Sequence, residues 1–174
     1  MATIAMDSPF GTLGIAASSR GVVEVDLGGV VAKHGPEEDP AAREILDQAV
    51  QQFSEYFAGE RKEIEVPIDP DVEEMLAGDS FRARALTALR QIPYGEVVSY
   101  GELAERAGSP RAARAAGTAC ATNPLAIIVP CHRVVPASGG IGSYGGGEDM
   151  KRELLALEGS LAELWRPQGQ PETS

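Results

Sequence analysis

The 174-residue chain has no run of about 18 consecutive apolar residues, the length that a membrane-spanning helix requires. Its opening, MATIAMDSPFGTLGIAASS, sets no basic cluster ahead of an apolar one. Neither a membrane span nor a secretory leader is therefore expected, and the reading is a soluble, cytoplasmic protein. Cysteine and histidine are scarce: Cys120, Cys131, His34 and His132. They cannot supply any recognised zinc spacing, so no metal and no cofactor are expected. In a reducing compartment the two cysteines are expected as free thiols. Positive charge is also short, with 15 Lys and Arg against 26 Asp and Glu and a net charge of −11, which on average opposes binding to a polyanion.

That shortage is unevenly spread. Residues 1–79 hold 5 basic and 17 acidic side chains, whereas residues 80–174 hold 10 and 9, and nine of those ten are Arg. Only the second half is suited to face nucleic acid, and it carries the cation best matched to phosphates and base edges. The length allows one large domain or two small ones. The acidic stretch DPDVEEMLAGD reads as the linker, dividing the chain into 1–78 and 79–174.

The first half opens with short apolar runs, Thr3 to Met6, Leu13 to Ala17 and Val22 to Leu27, separated by the turn signals DSPFG and SSRG. These predict a small antiparallel sheet. An acidic loop, GPEEDP, leads to a helix whose apolar positions Ile45, Leu46, Ala49, Val50, Phe53, Tyr56 and Phe57 recur with helical period and end at Gly59. A further short strand is expected over Glu63 to Ile68.

The second half begins with a helix capped by Asp79 or Ser80 and buried through Phe81, Ala85, Leu86 and Leu89. Ser99 and Glu102 form a capping-box pattern, predicting a helix from Tyr100 to about Ala107. Gly108 ends it, Ser109 is the expected cap of the next helix, and Pro110 fits that helix's first turn. Two short helices across such a turn are a helix-turn-helix pattern. The second, PRAARAAGTACA, is almost all small residues, with Arg111 and Arg114 on one face. An Ala-rich helix packed on a neighbour accounts for one side; composition leaves open whether the arginines are merely solvated.

The segment LAIIVPCHRVV is read as an apolar strand interrupted by Pro130, Cys131, His132 and Arg133. A proline cannot donate to a sheet ladder, and two polar side chains do not belong on a buried strand unless a site needs them. A thiol attacks as the thiolate, which a base must favour, and His132 is the obvious base. Adjacent residues on an extended backbone point apart, so a water-bridged contact is expected, with the sulfur held ionised. Glu158, at the end of MKRELLALEG, is the candidate that orients the histidine. The glycines of SYGGGE suit close backbone approach to a ligand; no P-loop Lys-Ser/Thr follows them.

PCHRV, with IPYGEVVSYGELA and NP before it and GSYGGG and LLALEG after it, resembles the O6-alkylguanine-DNA alkyltransferase family over roughly residues 79–160, while FSEYFAGER in the first half resembles the family's smaller domain more loosely. The resemblance implies a mixed α/β fold: an RNase H-like sheet domain with a helix, then a helical domain with the helix-turn-helix and a short active-site sheet. It implies that Cys131 is the alkyl acceptor, His132 the water-linked base and Glu158 its orienting carboxylate. Asn123 is implied as the hinge between the recognition helix and the active-site segment, and Tyr100 as the residue that helps rotate the phosphate and bonds the extruded guanine.

By the same resemblance Arg114 fills the gap in the base stack. Arg111, Ala115 and Gly117 lie with it on the DNA-binding helix. Backbone groups of Cys131 and Val134 read the guanine amine, and Tyr144, Gly145 and Gly146 cover a pocket that Pro130 and Ala126 also line. Ala126 replaces the proline of some members, which implies a wider cavity. The zinc ligands found in the first domain of some members are missing. Cys120 is read as packing. The implied partner is double-stranded DNA containing alkylated guanine, with possible action on O4-alkylthymine. A monomer is expected, and cooperative packing along DNA stays open.

Three rivals are weaker. A non-catalytic alkyltransferase-like protein lacks the acceptor cysteine. A helix-turn-helix regulator needs base-reading polar side chains where this chain has Ala115, Ala116, Gly117 and Ala119. A Cys-His hydrolase needs an oxyanion hole and a separate histidine, and His34 lies by an acidic loop.

Overall fold

A computed structural model describes residues 1–29 and 39–160; His34 and most of the acidic loop lie outside them. Three strands, β1 (Ala2–Ser8), β2 (Gly11–Ser18) and β3 (Gly21–Leu27), form an antiparallel sheet in the order β1-β2-β3, as the short apolar runs and the turn signals between them predict. Helix α1 (Pro40–Phe57) packs on it. Asp39 accepts a hydrogen bond from the Ala41 N–H, and Pro40 needs no donor at the first helical position. Its buried stripe is Ala42, Leu46, Ala49, Phe53, Tyr56 and Phe57, with Ile45 and Val50 half-buried at the margin.

Two expectations about the junction change. Residues 63–68 form no strand among the described elements; they run beside β3 through a single parallel bridge, Val22 with Ile68. The supposed linker contains a helix, α2 (Pro70–Leu76), capped by Asp69, whose carboxylate bonds the Asp71 N–H and the Ser18 hydroxyl. The acidic composition suggested an exposed connector, but Asp-Pro is also a helix start, and buried Leu76 anchors it.

Helix α3 (Phe81–Arg90) is capped by Ser80 rather than Asp79, the serine accepting from the Ala83 N–H. The short strand β4 (Val98–Ser99) leads into α4 (Tyr100–Arg106), with the Ser99 hydroxyl accepting from Glu102 N–H as the capping pattern requires. Helix α5 (Ala113–Ala121) starts later than expected. Ser109 and Pro110 lie in a turn closed by Ala112 N–H to Ser109 O, and Ala112, with no side-chain cap, precedes the helix. Arg111 thus sits before the helix, not on its first turn. Strand β5 (Val134–Val135) pairs in parallel with β4, and helix α6 (Glu148–Leu157) closes the described fold.

The halves share one core. Buried residues from β1 through α6 belong to a single cluster, and β3 bonds the second half directly: Val25 N–H donates to Pro124 O at 2.8 Å and Ala126 N–H to Val25 O at 3.3 Å. The sheet edge therefore braces the segment that precedes Cys131.

Candidate active site

Residues 125–133 are turns, not the expected strand. Val129 N–H closes back onto Leu125 O, and within that loop Ile128 N–H bonds Ala126 O at 2.8 Å around Ile127, whose φ is +70°. A β-branched residue with positive φ is strained, and burial of Ile127 and Val129 on the core holds it there. Pro130 (φ −82°, ψ 67°) then makes an inverse γ-turn, with Cys131 N–H donating to Val129 O at 2.8 Å. Cys131–Arg133 follow as one 3-10 turn. Proline ruled out a ladder, but the chain resolves this by tight turns that no periodicity announces.

Asn123, just beyond α5, fastens this segment. Its amide donates to Val129 O at 2.7 Å, and its carbonyl accepts from Leu125 N–H at 3.0 Å. Val129 O therefore receives both the hinge side chain and the backbone of the candidate nucleophile.

The 3-10 turn aims both His132 and Arg133 at Glu158, the C-cap residue of α6. Oε2 of Glu158 accepts from His132 Nε2 at 2.8 Å and Arg133 Nη2 at 3.0 Å, and Oε1 accepts from Arg133 Nε at 2.8 Å. The hydroxyl of Tyr56 also donates to Oε2, and Arg133 Nη1 reaches Ile92 O at 2.6 Å. All four side chains are buried. Burial acts to raise the Glu158 carboxyl, but His132 and Arg133 prevail and hold it at about 2, so it stays anionic. Burial also pushes His132 down, against the pull of Glu158, which favours neutral imidazole. The neutral ring donating through Nε2 leaves Nδ1 a bare lone pair, and Nδ1 is buried with no protein partner among the described residues. This is the configuration of a general base.

Cys131 is 7% exposed and borders a cavity of 250 Å³ with Cys120, Ala121, Ser143, Tyr144 and Gly145. The sulfur is thus not sealed in the core. Burial raises its thiol, opposed by Asn123 and Lys151. Desolvation therefore works against the ionised sulfur that was expected, and the thiol relies on a base to take its proton. Lys151 is fully buried, with Nζ donating to Ser143 O at 3.3 Å and lying 5.8 Å from the Tyr100 ring centre. Burial brings its amine down to about 8.

Tyr144 and Gly145 line this cavity. Ala126, Pro130, Val134 and Gly146 are not among its walls. Pro130 faces a separate 400 Å³ cleft with Ile127, Ile128 and Arg133, and Val134 sits in the β4–β5 ladder. A Cβ on Gly146 would fall 2.3 Å from the Met150 sulfur, so that glycine serves packing between β3 and α6. Tyr100 lies over Gly117, 3.9 Å from where a Cβ would stand, and burial raises its hydroxyl to about 12, keeping it a donor. Sequence reasoning missed three contributors. Arg133 was visible only as an intrusive charge, Lys151 as one of several cations near α6, and Tyr56 as a member of an apolar stripe.

On α5, Ala116 and Ala119 are buried, while Arg114, Ala115 and Thr118 are exposed, and Arg111 is exposed in the preceding turn. Several arginines are spent on the protein itself: Arg82 on Thr122, Arg84 on Ala107 O, Arg90 on Glu73. Arg106, Arg111 and Arg114 have no such partner among the described residues. These three exposed arginines, at the end of α4, in the turn before α5 and within α5, are the cations this half of the chain leaves available to a polyanion.

Two family models match the sequence. The 6-O-methylguanine DNA methyltransferase ribonuclease-like domain matches residues 1–70, and the DNA binding domain of the same family matches residues 80–160. The methylated-DNA–protein-cysteine methyltransferase of Mycolicibacterium paratuberculosis is 46% identical over 156 residues, covering 88% of this chain and 89% of that one. The Rattus norvegicus protein of the same name is 36% identical over 179 residues, covering 95% and 83%. The crystal structure of Mycobacterium tuberculosis OGT in complex with DNA superposes with a TM-score of 0.77 at 43% identity, over 93% of this chain and 95% of that one.

Proposed function

The chain belongs to the 6-O-methylguanine DNA methyltransferase family, and from that membership we propose that it repairs alkylated DNA by moving the alkyl group from O6 of guanine irreversibly onto Cys131. The observation that carries the assignment is a cavity-facing thiol at Cys131 followed in the same 3-10 turn by His132, whose Nε2 is fixed by the buried Glu158 carboxylate and whose Nδ1 is left without a protein partner among the described residues.

Arg106, Arg111 and Arg114 attract the phosphates, and Ala115, Gly117 and the other small residues of α5 let the helix approach the minor groove closely. The lesion is flipped at a cost of a few kcal/mol, less where alkylation has weakened its pairing, and Arg114 fills the gap. Tyr100 donates to the extruded base, and the backbone of Cys131 reads its amine. As the Cys131 proton passes through one bridging water to Nδ1 of His132, the sulfur attacks the alkyl carbon. The S–C bond forms, the C–O6 bond breaks, and the electron pair goes to guanine, where the Tyr100 hydrogen bond stabilises it. The imidazolium is balanced by Glu158, and its proton returns to the released base. A thioether cannot be reopened by these residues, so each molecule acts once.

Residues 1–78 form the scaffold domain and 79–174 the DNA-binding domain. Among the described residues no helix is long and apolar enough to cross a membrane; we assign the protein to the cytoplasm, as a monomer. An oligonucleotide bearing O6-methylguanine is expected to add the mass of one methyl to Cys131 and never more than one equivalent. Repeated turnover, or restored guanine with unchanged protein mass, overturns the assignment.

A further inference from the structure

Cys120 takes no part in the transfer chemistry, yet it shares a wall with the acceptor. It lies in the last turn of α5 and borders the same 250 Å³ cavity as Cys131. Both are free thiols. Each influences the ionisation of the same neighbours, Tyr100 and Lys151, and a charge on Cys131 raises Cys120 in turn. What separates them includes open space. Asn123 ties the end of α5 to Val129 O, the same carbonyl that accepts the Cys131 N–H, so the two thiol-bearing turns are braced against each other.

A sulfur built to become a thiolate beside an accessible cavity is open to peroxides as well as to alkyl groups. Oxidation past sulfenic acid is irreversible, and for a protein used once it destroys the whole capacity of the molecule. We propose that Cys120 is a resolving thiol that captures oxidised Cys131 as a reversible Cys120–Cys131 disulfide; the inference rests on Cys131 being the reactive acceptor.

The steps balance with a peroxide as oxidant. Cys131 gives its proton to His132 as its sulfur attacks a peroxide oxygen; the S–O bond forms and the O–O bond breaks, and the departing oxygen leaves as hydroxide or alkoxide and takes that proton from His132. Sulfur is oxidised by two electrons and the peroxide reduced. The Cys120 sulfur then attacks the sulfenic sulfur. The S–S bond forms, the S–O bond breaks, and the hydroxide leaves as water with the Cys120 proton. Closure requires the end of α5 and the 3-10 turn to bring the Cβ atoms to about 3.8 Å. A cellular dithiol reopens the bond by exchange. Burial raises Cys120 to about 12, which makes it a poor target for peroxide itself and leaves the more electrophilic sulfenic sulfur as its partner.

The test uses the full chain and hydrogen peroxide. Methyl transfer to Cys131 is measured first on untreated protein; its absence sinks the acceptor assignment, whatever the oxidation result. Treated protein is then denatured with a thiol-blocking reagent and weighed. The expected product has lost two hydrogens, its peptide map joins Cys120 to Cys131, and dithiothreitol restores most of the methyl-accepting capacity. Cys120→Ser and Cys120→Ala, each normalised to its own untreated capacity, are expected to accumulate sulfinic acid on Cys131 and to recover several-fold less. Equal sulfinic acid in wild type and both variants overturns the proposal, and so does a disulfide that joins two molecules on a non-reducing gel.

Discussion

At position 158 a carboxylate stands at a helix C-terminus, where the dipole disfavours it, and it is buried as well. Four donor contacts, from Tyr56, His132 and two nitrogens of Arg133, offset both penalties. Removing the charge while leaving Arg133 in place strands a buried cation, so Glu158→Gln is expected to cost about 3–5 kcal/mol of stability and to slow methyl transfer at neutral pH. Tyr56→Phe removes one donor and leaves the ion pair, and is expected to cost about 1–2 kcal/mol. Urea unfolding with single-turnover transfer separates the two; equal losses mean that the hydroxyl, not the ion pair, holds the site. The sequence carried His132 and Glu158 because each was out of place for a core or a surface. Tyr56 was illegible because its partner is 102 residues away and its ring alone satisfies the apolar stripe of α1.

Among the elements, those read from periodicity and caps stand nearly where they were expected: α1, α3, α4 and the three-stranded sheet. Where the reading failed, local chemistry had two solutions. Ser109-Pro110 fits a helix start and equally a turn, and packing of Ala116 and Ala119 delays α5 to Ala113. Likewise the run LAIIV suits a strand, but Asn123, β3 and Pro130 divert it into turns. Asn123→Ala leaves Val129 O with one donor fewer and Leu125 N–H without its acceptor, for an expected loss of about 2 kcal/mol and a disproportionate fall in transfer rate as Cys131 loses its fixed backbone. A stability loss with unchanged rate makes Asn123 a brace only. On the exposed face, Arg114→Ala is expected to slow repair of duplex far more than reaction with a free-base substrate, and to reduce the salt dependence of DNA binding by about one counterion. Equal losses on both substrates remove its role in flipping.

For the molecule as a whole, a shared core and a buried charge network make stability depend on acidity in a defined direction. Glu158 titrates at about 2 in the fold against an ordinary 4.5; the unfolded chain therefore takes up its proton first, and stability falls as pH drops from about 4.5 towards 2. His132 lies below its ordinary 6.5 because burial disfavours the imidazolium, so acidification below 6.5 also favours the unfolded chain. Asp69, held low by the Ser18 hydroxyl at the start of α2, adds in the same sense. The Glu158 part is on the order of 3 kcal/mol when fully lost, a large share of a small protein's margin. Because Tyr56 in α1 and Glu158 after α6 meet in one network, both halves should unfold in one transition as the acid limb is descended. Urea midpoints from pH 7 to pH 3 check this: wild type should lose stability steeply below 4.5, while Glu158→Gln starts lower and follows a flatter slope there. Parallel curves would place the acid-sensitive charge elsewhere, and two separate transitions would mean that the sheet domain does not brace the site.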